Sequence, residues 1–199
     1  YGQAQINTKL RALYNNAIGN YGNMLKFIVL TALGEDRPGI VKTLSEAIHK
    51  QGCNIVDSRM SILGGHFAII SLVSGQWNEL AKLESQLPEL EKKLGMSIIA
   101  KHTEPKSYST PLVTYRVEVV SLDHPGIVHN LTSFFYSRDI NIESMNTSTY
   151  SAAHTGSSMF ALEMIVELSP SIPIAALRED FLDYCDELNL DANIEPCKQ

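Results

Sequence analysis

The residues with the types and spacing to do chemistry come in two nearly matching groups. Asp36-Arg37-Pro38-Gly39-Ile40-Val41 returns as Asp123-His124-Pro125-Gly126-Ile127-Val128, 87 residues later (123 − 36). Each group follows an apolar, strand-like run and opens a stretch with helical spacing of apolar residues. The first N–H groups of a helix have no intrahelical partner and carry the positive end of the helix dipole. A corner of this kind binds anions, carboxylates included. Gly39 and Gly126 put no side chain between a small ligand and the backbone. Asp36 and Asp123 offer an oxygen that can cap the helix or attract an ammonium group, so the corner suits an amino acid, which carries both charges. The same residues also make a sound strand-to-helix turn with no ligand: Asp as cap and Pro as first helical residue. Duplication would preserve either.

Other chemistry is thinner. Asn54 and Asn141 each open the strand after the first helix of their copy. On an edge strand they would approach a seam between paired sheets and bond ligand or backbone; in a plain helix-to-strand turn they would cap local backbone. Asp57 and Arg59 share one face of that strand, as a solvated pair or as ligand contacts. Six histidines are present, but His124 and His129 stand five apart and the others are scattered, with no metal-site spacing. No G-x-S-x-G, P-loop or G-x-G-x-x-G occurs, so nothing marks an enzyme. Arg37 is the one residue to offer an acylphosphatase-like site, and His124 replaces it in the second copy. A net charge of −6 and few aromatics on the strands argue against direct nucleic-acid binding, without excluding access to DNA through a partner. Three cysteines, Cys53, Cys185 and Cys197, form no CxxC, which points to reduced thiols and a cytoplasmic protein. No signal peptide pattern or membrane-length apolar run is visible.

The elements that must position these residues repeat as well. Leu44, Asn54 and Ile55 match Leu131, Asn141 and Ile142 at the same offset, and "FAIISLV" at 67–73 resembles "FALEMIV" at 160–166. The second copy therefore carries about six extra residues, placed in "STYSAAHTGSS". Each copy reads β-α-β-β-α-β: a strand over 25–33, a helix with Ile40, Val41, Leu44, Ala47 and Ile48 on one face, a stop at Gly52, and a hairpin turning at Leu63-Gly64-Gly65. A polar amphipathic helix follows with Pro88 as a kink, Trp77 as a packing anchor and a solvated "EKK" end at 91–93; "MSIIAKHTE" closes the copy. In the second copy Ile127, Val128, Leu131, Phe134 and Phe135 fill the helix face. The expected fold class is α+β, two tandem ferredoxin-like domains, each an antiparallel sheet with two helices on one face. Their bounds are 24–104 and 112–199, joined by a linker at 105–111. Residues 1–23 fit neither copy: they read as a vector-encoded extension before Met24, or as a native amphipathic arm through Ile6, Leu10, Leu13 and Ala17.

A β-α-β-β-α-β unit opening with "DRPGIV" or "DHPGIV", with "NI" at its second strand, resembles the ACT domain, a family of small regulatory modules that often respond to amino acids. The whole layout, two copies and little else, is similar to the bacterial family of glycine cleavage system transcriptional repressors. That resemblance implies a regulator without its own DNA-binding domain, which binds an activator protein, blocks the glycine cleavage operon and is relieved by glycine. It implies no catalytic residue, no metal and no cofactor beyond an amino-acid effector. It places the ligand between paired domains, at Asp36, Arg37, Gly39, Ile40, Val41 and Asn54, and at Asp123, His124, Gly126, Ile127, Val128 and Asn141. Asp57 aligns with Ser144, so one site, two unequal sites and a vestigial second site all stay open. The alternative is a small-ligand module serving another metabolic enzyme or pathway. A leftover edge strand would favour a homodimer.

Overall fold

A computed structural model describes residues 25–104 and 112–197. The N-terminal extension and the linker at 105–111 lie outside the described residues. Two compact units hold the chain. The first runs β1 (Lys26–Glu35), α1 (Ile40–Lys50), β2 (Asn54–Leu63), β3 (His66–Gly75), α2 (Trp77–Leu94) and β4 (Met96–Thr103). The second runs β5 (Val113–Leu122), α3 (Ile127–Tyr136), β6 (Asn141–Ser151), β7 (Ser158–Leu168), α4 (Ile174–Glu187) and β8 (Asp191–Pro196). Sheet orders are β2-β3-β1-β4 and β6-β7-β5-β8, every neighbouring pair antiparallel. This is the ferredoxin-like arrangement twice over.

Alternation decides which face is covered. Ile28, Leu30 and Ala32 of β1 and Phe67, Ile69 and Val73 of β3 are buried with Ile40, Leu44 and Ile48 of α1 and Leu80, Leu83 and Leu87 of α2. The second unit repeats this with Val117, Val119, Leu162, Met164, Phe135 and Phe181. Each such Val, Leu, Ile, Met or Phe side chain contributes roughly 1.5–3 kcal/mol when fully buried. Among the described residues no helix of either unit packs on the opposite sheet face, and Leu33 and Ile70 of the first sheet are half exposed.

Local signals act where the sequence places them. Gly64 and Gly65 have φ of 57° and 79°, the positive pair a two-residue hairpin requires. The extra residues of the second copy form the longer loop between Ser151 and Ser158. Gly52, at φ 80°, closes α1 as Cys53 N–H bonds to Ile48 O at 3.2 Å and Gly52 N–H to His49 O at 3.0 Å, a Schellman ending. Asp139 takes the same place after α3 at φ 56°.

Three expectations need correction. Trp77 is 71% exposed: it opens α2 on the side away from the core, and Leu80 and Leu83 are buried instead. The "EKK" end is only partly solvated, because Glu91 Oε1 accepts the Ile98 N–H at 2.6 Å and so ties α2 to β4. Val41 turns away from the shared helix face and is 44% exposed. Helix α2 runs through Pro88 as one element. No helix among the described residues is long and apolar enough to cross a membrane.

Candidate functional site

Both Asp-x-Pro-Gly turns form exposed corners at the end of a central strand. The helix starts two residues later than the sequence suggests, at Ile40 rather than Pro38 and at Ile127 rather than Pro125. Its cap is Gly39 at φ 93°, and in the second unit Gly126 at φ 101°. Pro38 and Pro125 therefore sit in the turn, not in the first helical position, and Asp36 and Asp123 lie three residues before the cap. The physical reason is chain direction: a left-handed glycine reverses the strand into the helix, and an L-residue adopts that conformation at a cost. The Gly39 carbonyl accepts the Thr43 N–H and the Thr43 hydroxyl, both at 2.9 Å. Neither helix has a side-chain cap or an acidic residue in its first turn. The first-turn N–H groups thus have no side-chain acceptor from the cap and no carboxylate within their own first turn.

Backbone bonds fasten each corner to a neighbouring hairpin. Asp36 N–H donates to Gly65 O at 3.0 Å, and Asp123 N–H to Ser158 O at 2.9 Å. A Cβ built on Gly39 meets nothing within 4 Å, and one on Gly126 reaches only Asn130 Nδ2 at 4.0 Å. There is open space over both caps. The side chains of Ile40 and Ile127, each 2% exposed, point into the cores, so these residues bring only their backbone N–H to the corner. Val128 is half-buried against the second core.

The corners differ at their second residue. Arg37 Nη2 donates to the Lys93 carbonyl at 3.0 Å, which satisfies an orphan acceptor at the C-terminal end of α2 and fixes a positive charge beside the first corner. His124 Nδ1 instead lies 3.1 Å from the carbonyl of its neighbour Pro125. Sequence reasoning missed the Arg37 contact because its partner lies 56 residues away.

Asn54 and Asn141 do not join the corner of their own unit. They open β2 and β6, which are edge strands as expected. Asn54 pairs with Ser74 at the end of the sheet where β1 begins, whereas Asp36 follows the end where β1 finishes. A ten-residue strand separates the two by about 30 Å. Asn141 Nδ2 donates to Glu167 Oε2 at 2.8 Å, and Glu167 is 5% exposed. A bulge at Val56, repeated at Glu143, shifts the register in both copies and puts Asp57 and Arg59 on the open face of the first sheet, opposite Leu72 and Ile70.

No group of three or more metal-ligating side chains gathers among the described residues. The buried thiols are poor nucleophiles: burial pushes Cys53 up, and burial with the Asp186 charge pushes Cys185 up to about 12. The described chemistry at the corners is therefore that of an anion-accepting backbone with a nearby carboxylate.

The ACT domain family matches residues 26–101. The glycine cleavage system transcriptional repressor of Escherichia coli (strain K12) is 32% identical over 168 residues, 84% of this chain and 88% of that protein. A solved structure of an unknown protein from Galdieria sulphuraria superposes with a TM-score of 0.72 at 26% identity, covering 87% of this chain and 99% of its own. A provisionally identified glycine cleavage system transcriptional repressor superposes at 0.66 with 28% identity, covering 88% and 99%. The match runs through both units and carries a regulatory role. The chain belongs to the family of glycine cleavage system transcriptional repressors, built from tandem ACT-type domains.

Proposed function

We propose that this chain senses an amino acid, glycine in the first place, and represses the glycine cleavage operon by binding an activator protein, with glycine relieving the block. The observation that carries the reading is the doubled corner: two exposed helix starts, capped by left-handed glycines with open space above them and an aspartate three residues before. The ligand carboxylate meets the first-turn N–H groups, and the ammonium meets Asp36 or Asp123. Arg37 and His124 tune the charge of the two corners, and Ile40, Val41, Ile127 and Val128 shape the start of each helix. Asn54 and Asn141, at the far end of their own sheets, serve the edge strands. The names of the relatives point to the glycine cleavage system, and the net charge of −6 suits contact with a protein better than with DNA phosphates.

A ligand shifts such a complex only by binding one state better than the other. The test is the affinity of this chain for the activator of the glycine cleavage operon, with and without saturating glycine. Glycine should weaken the complex, and the activator should weaken glycine binding by the same factor. An affinity indifferent to glycine would overturn the sensor reading.

A further inference from the structure

The second unit has a groove of about 450 Å³ between α3 and α4, whose walls include Phe134, Arg138, Asp180, Asp183, Tyr184 and Glu187. One cation is already held there by the chain itself. The Arg138 guanidinium carbon lies 3.7 Å from the centroid of the Phe134 ring, and Arg138 Nη2 is 3.3 Å from Asp180 Oδ2. A ring face with a carboxylate beside it is a guanidinium seat. Next to it the same two parts recur without a cation. The Tyr184 ring stands 5.3 Å from that of Phe134, and Asp183 and Glu187, four residues apart on α4, have no ion-pair partner among the described residues. Like charges at that spacing repel on a helix surface. The helix as a whole carries five acidic residues and one basic residue.

The first unit is built differently at the matching place. Ala47 and Gln51 stand where the second copy has Phe134 and Arg138, and Gln51 Nε2 donates to Gln86 Oε1 at 3.0 Å, closing α1 onto α2 with neutral amides. The fold therefore does not require a charged, ring-walled groove. We propose that the groove of the second unit docks an arginine- or lysine-bearing segment of a protein partner, its cation lying over Tyr184 and against Asp183 and Glu187. The inference rests on the reading of this chain as a regulator that acts through a protein, and it names the surface. Basic residues seated there are withheld from nucleic-acid phosphates.

The probe is an eight-residue peptide of alternating arginine and alanine, labelled with fluorescein, titrated with the full chain by anisotropy at low and at moderate salt. An alternating glutamate–alanine peptide is the negative control. Asp183→Asn with Glu187→Gln should weaken arginine-peptide binding about fivefold to tenfold, the loss of two exposed ion pairs, and leave the melting curve in place. Glu89→Gln with Glu104→Gln, the same charge change in the first unit, should leave binding unchanged. Tyr184→Leu should weaken binding with no change of charge. Failure of the wild-type chain to bind the arginine peptide, or equal losses in the two charge-matched pairs, overturns the proposal. If the activator complex forms and responds to glycine while the groove variants bind it normally, the sensor reading stands and this surface falls.

Discussion

Replacing Gly39 separates backbone cost from ligand access. At φ 93° the cap lies in left-handed space, where an L-residue costs roughly 1–2 kcal/mol. Beyond its two chain neighbours, nothing stands within 4 Å of the Cβ position, so the side chain leaves the backbone into open space. Gly39→Ala and Gly39→Leu should therefore lose nearly the same stability. For a unit of this size that lowers the melting temperature by about 5–15 °C. Gly39→Asn should lose less, since asparagine tolerates that conformation better. Urea unfolding of the first unit gives the stabilities, and calorimetry with glycine gives binding. Alanine leaves room over the first-turn N–H groups and leucine covers them. The two variants should match in stability and differ at the first corner in binding, where leucine abolishes it. A leucine variant less stable than the alanine variant by more than about 1 kcal/mol would refute the open space. Equal binding by both would refute the corner as the site.

Three further outcomes follow from single contacts. Arg37→Ala frees the Lys93 carbonyl and should cost about 0.5–1.5 kcal/mol in urea unfolding, with Arg37→Lys recovering part of it. Asp139, at φ 56°, holds the place that Gly52 holds in the first copy, so Asp139→Gly should raise the stability of the second unit by about 0.5–1 kcal/mol. Burial, with the Asp186 charge, pushes the Cys185 thiol up to about 12 from an ordinary 9.0. Its contribution to stability is whole below pH 9 and lost as pH rises from there toward 12. Unfolding free energy followed over that window should fall less steeply in Cys185→Ala than in the parent.

The fold was legible because its signals are local or repeated. The second Asp-x-Pro-Gly-Ile-Val, the Gly64-Gly65 turn and the polar stretch before Ser158 each specify their own geometry within a few residues. The site was legible only in part. Pro38 marks the turn, but the helix is capped by the residue that can take positive φ, and composition does not rank Pro38 against Gly39. Asn54 follows the motif closely in sequence, yet α1 carries the chain back along the sheet, so the residue lands at the opposite end. The Arg37–Lys93 contact and the Glu91 bond to Ile98 N–H depend on where α2 ends, a tertiary fact with no local signature. Trp77 is large and apolar, yet it stands on the exposed side of the first turn of α2, and residue type alone does not tell which side of a first turn meets the core.

The central claim is that the two corners receive an amino acid, and titration calorimetry of the full chain with glycine tests it most directly. Alanine and serine follow as competitors, and the Gly39→Leu, Gly126→Leu double variant serves as the blocked control. The account predicts saturable heat with glycine that the double variant lacks. Glycine binding that survives in the double variant, or none in the parent chain both alone and with the activator present, would contradict it.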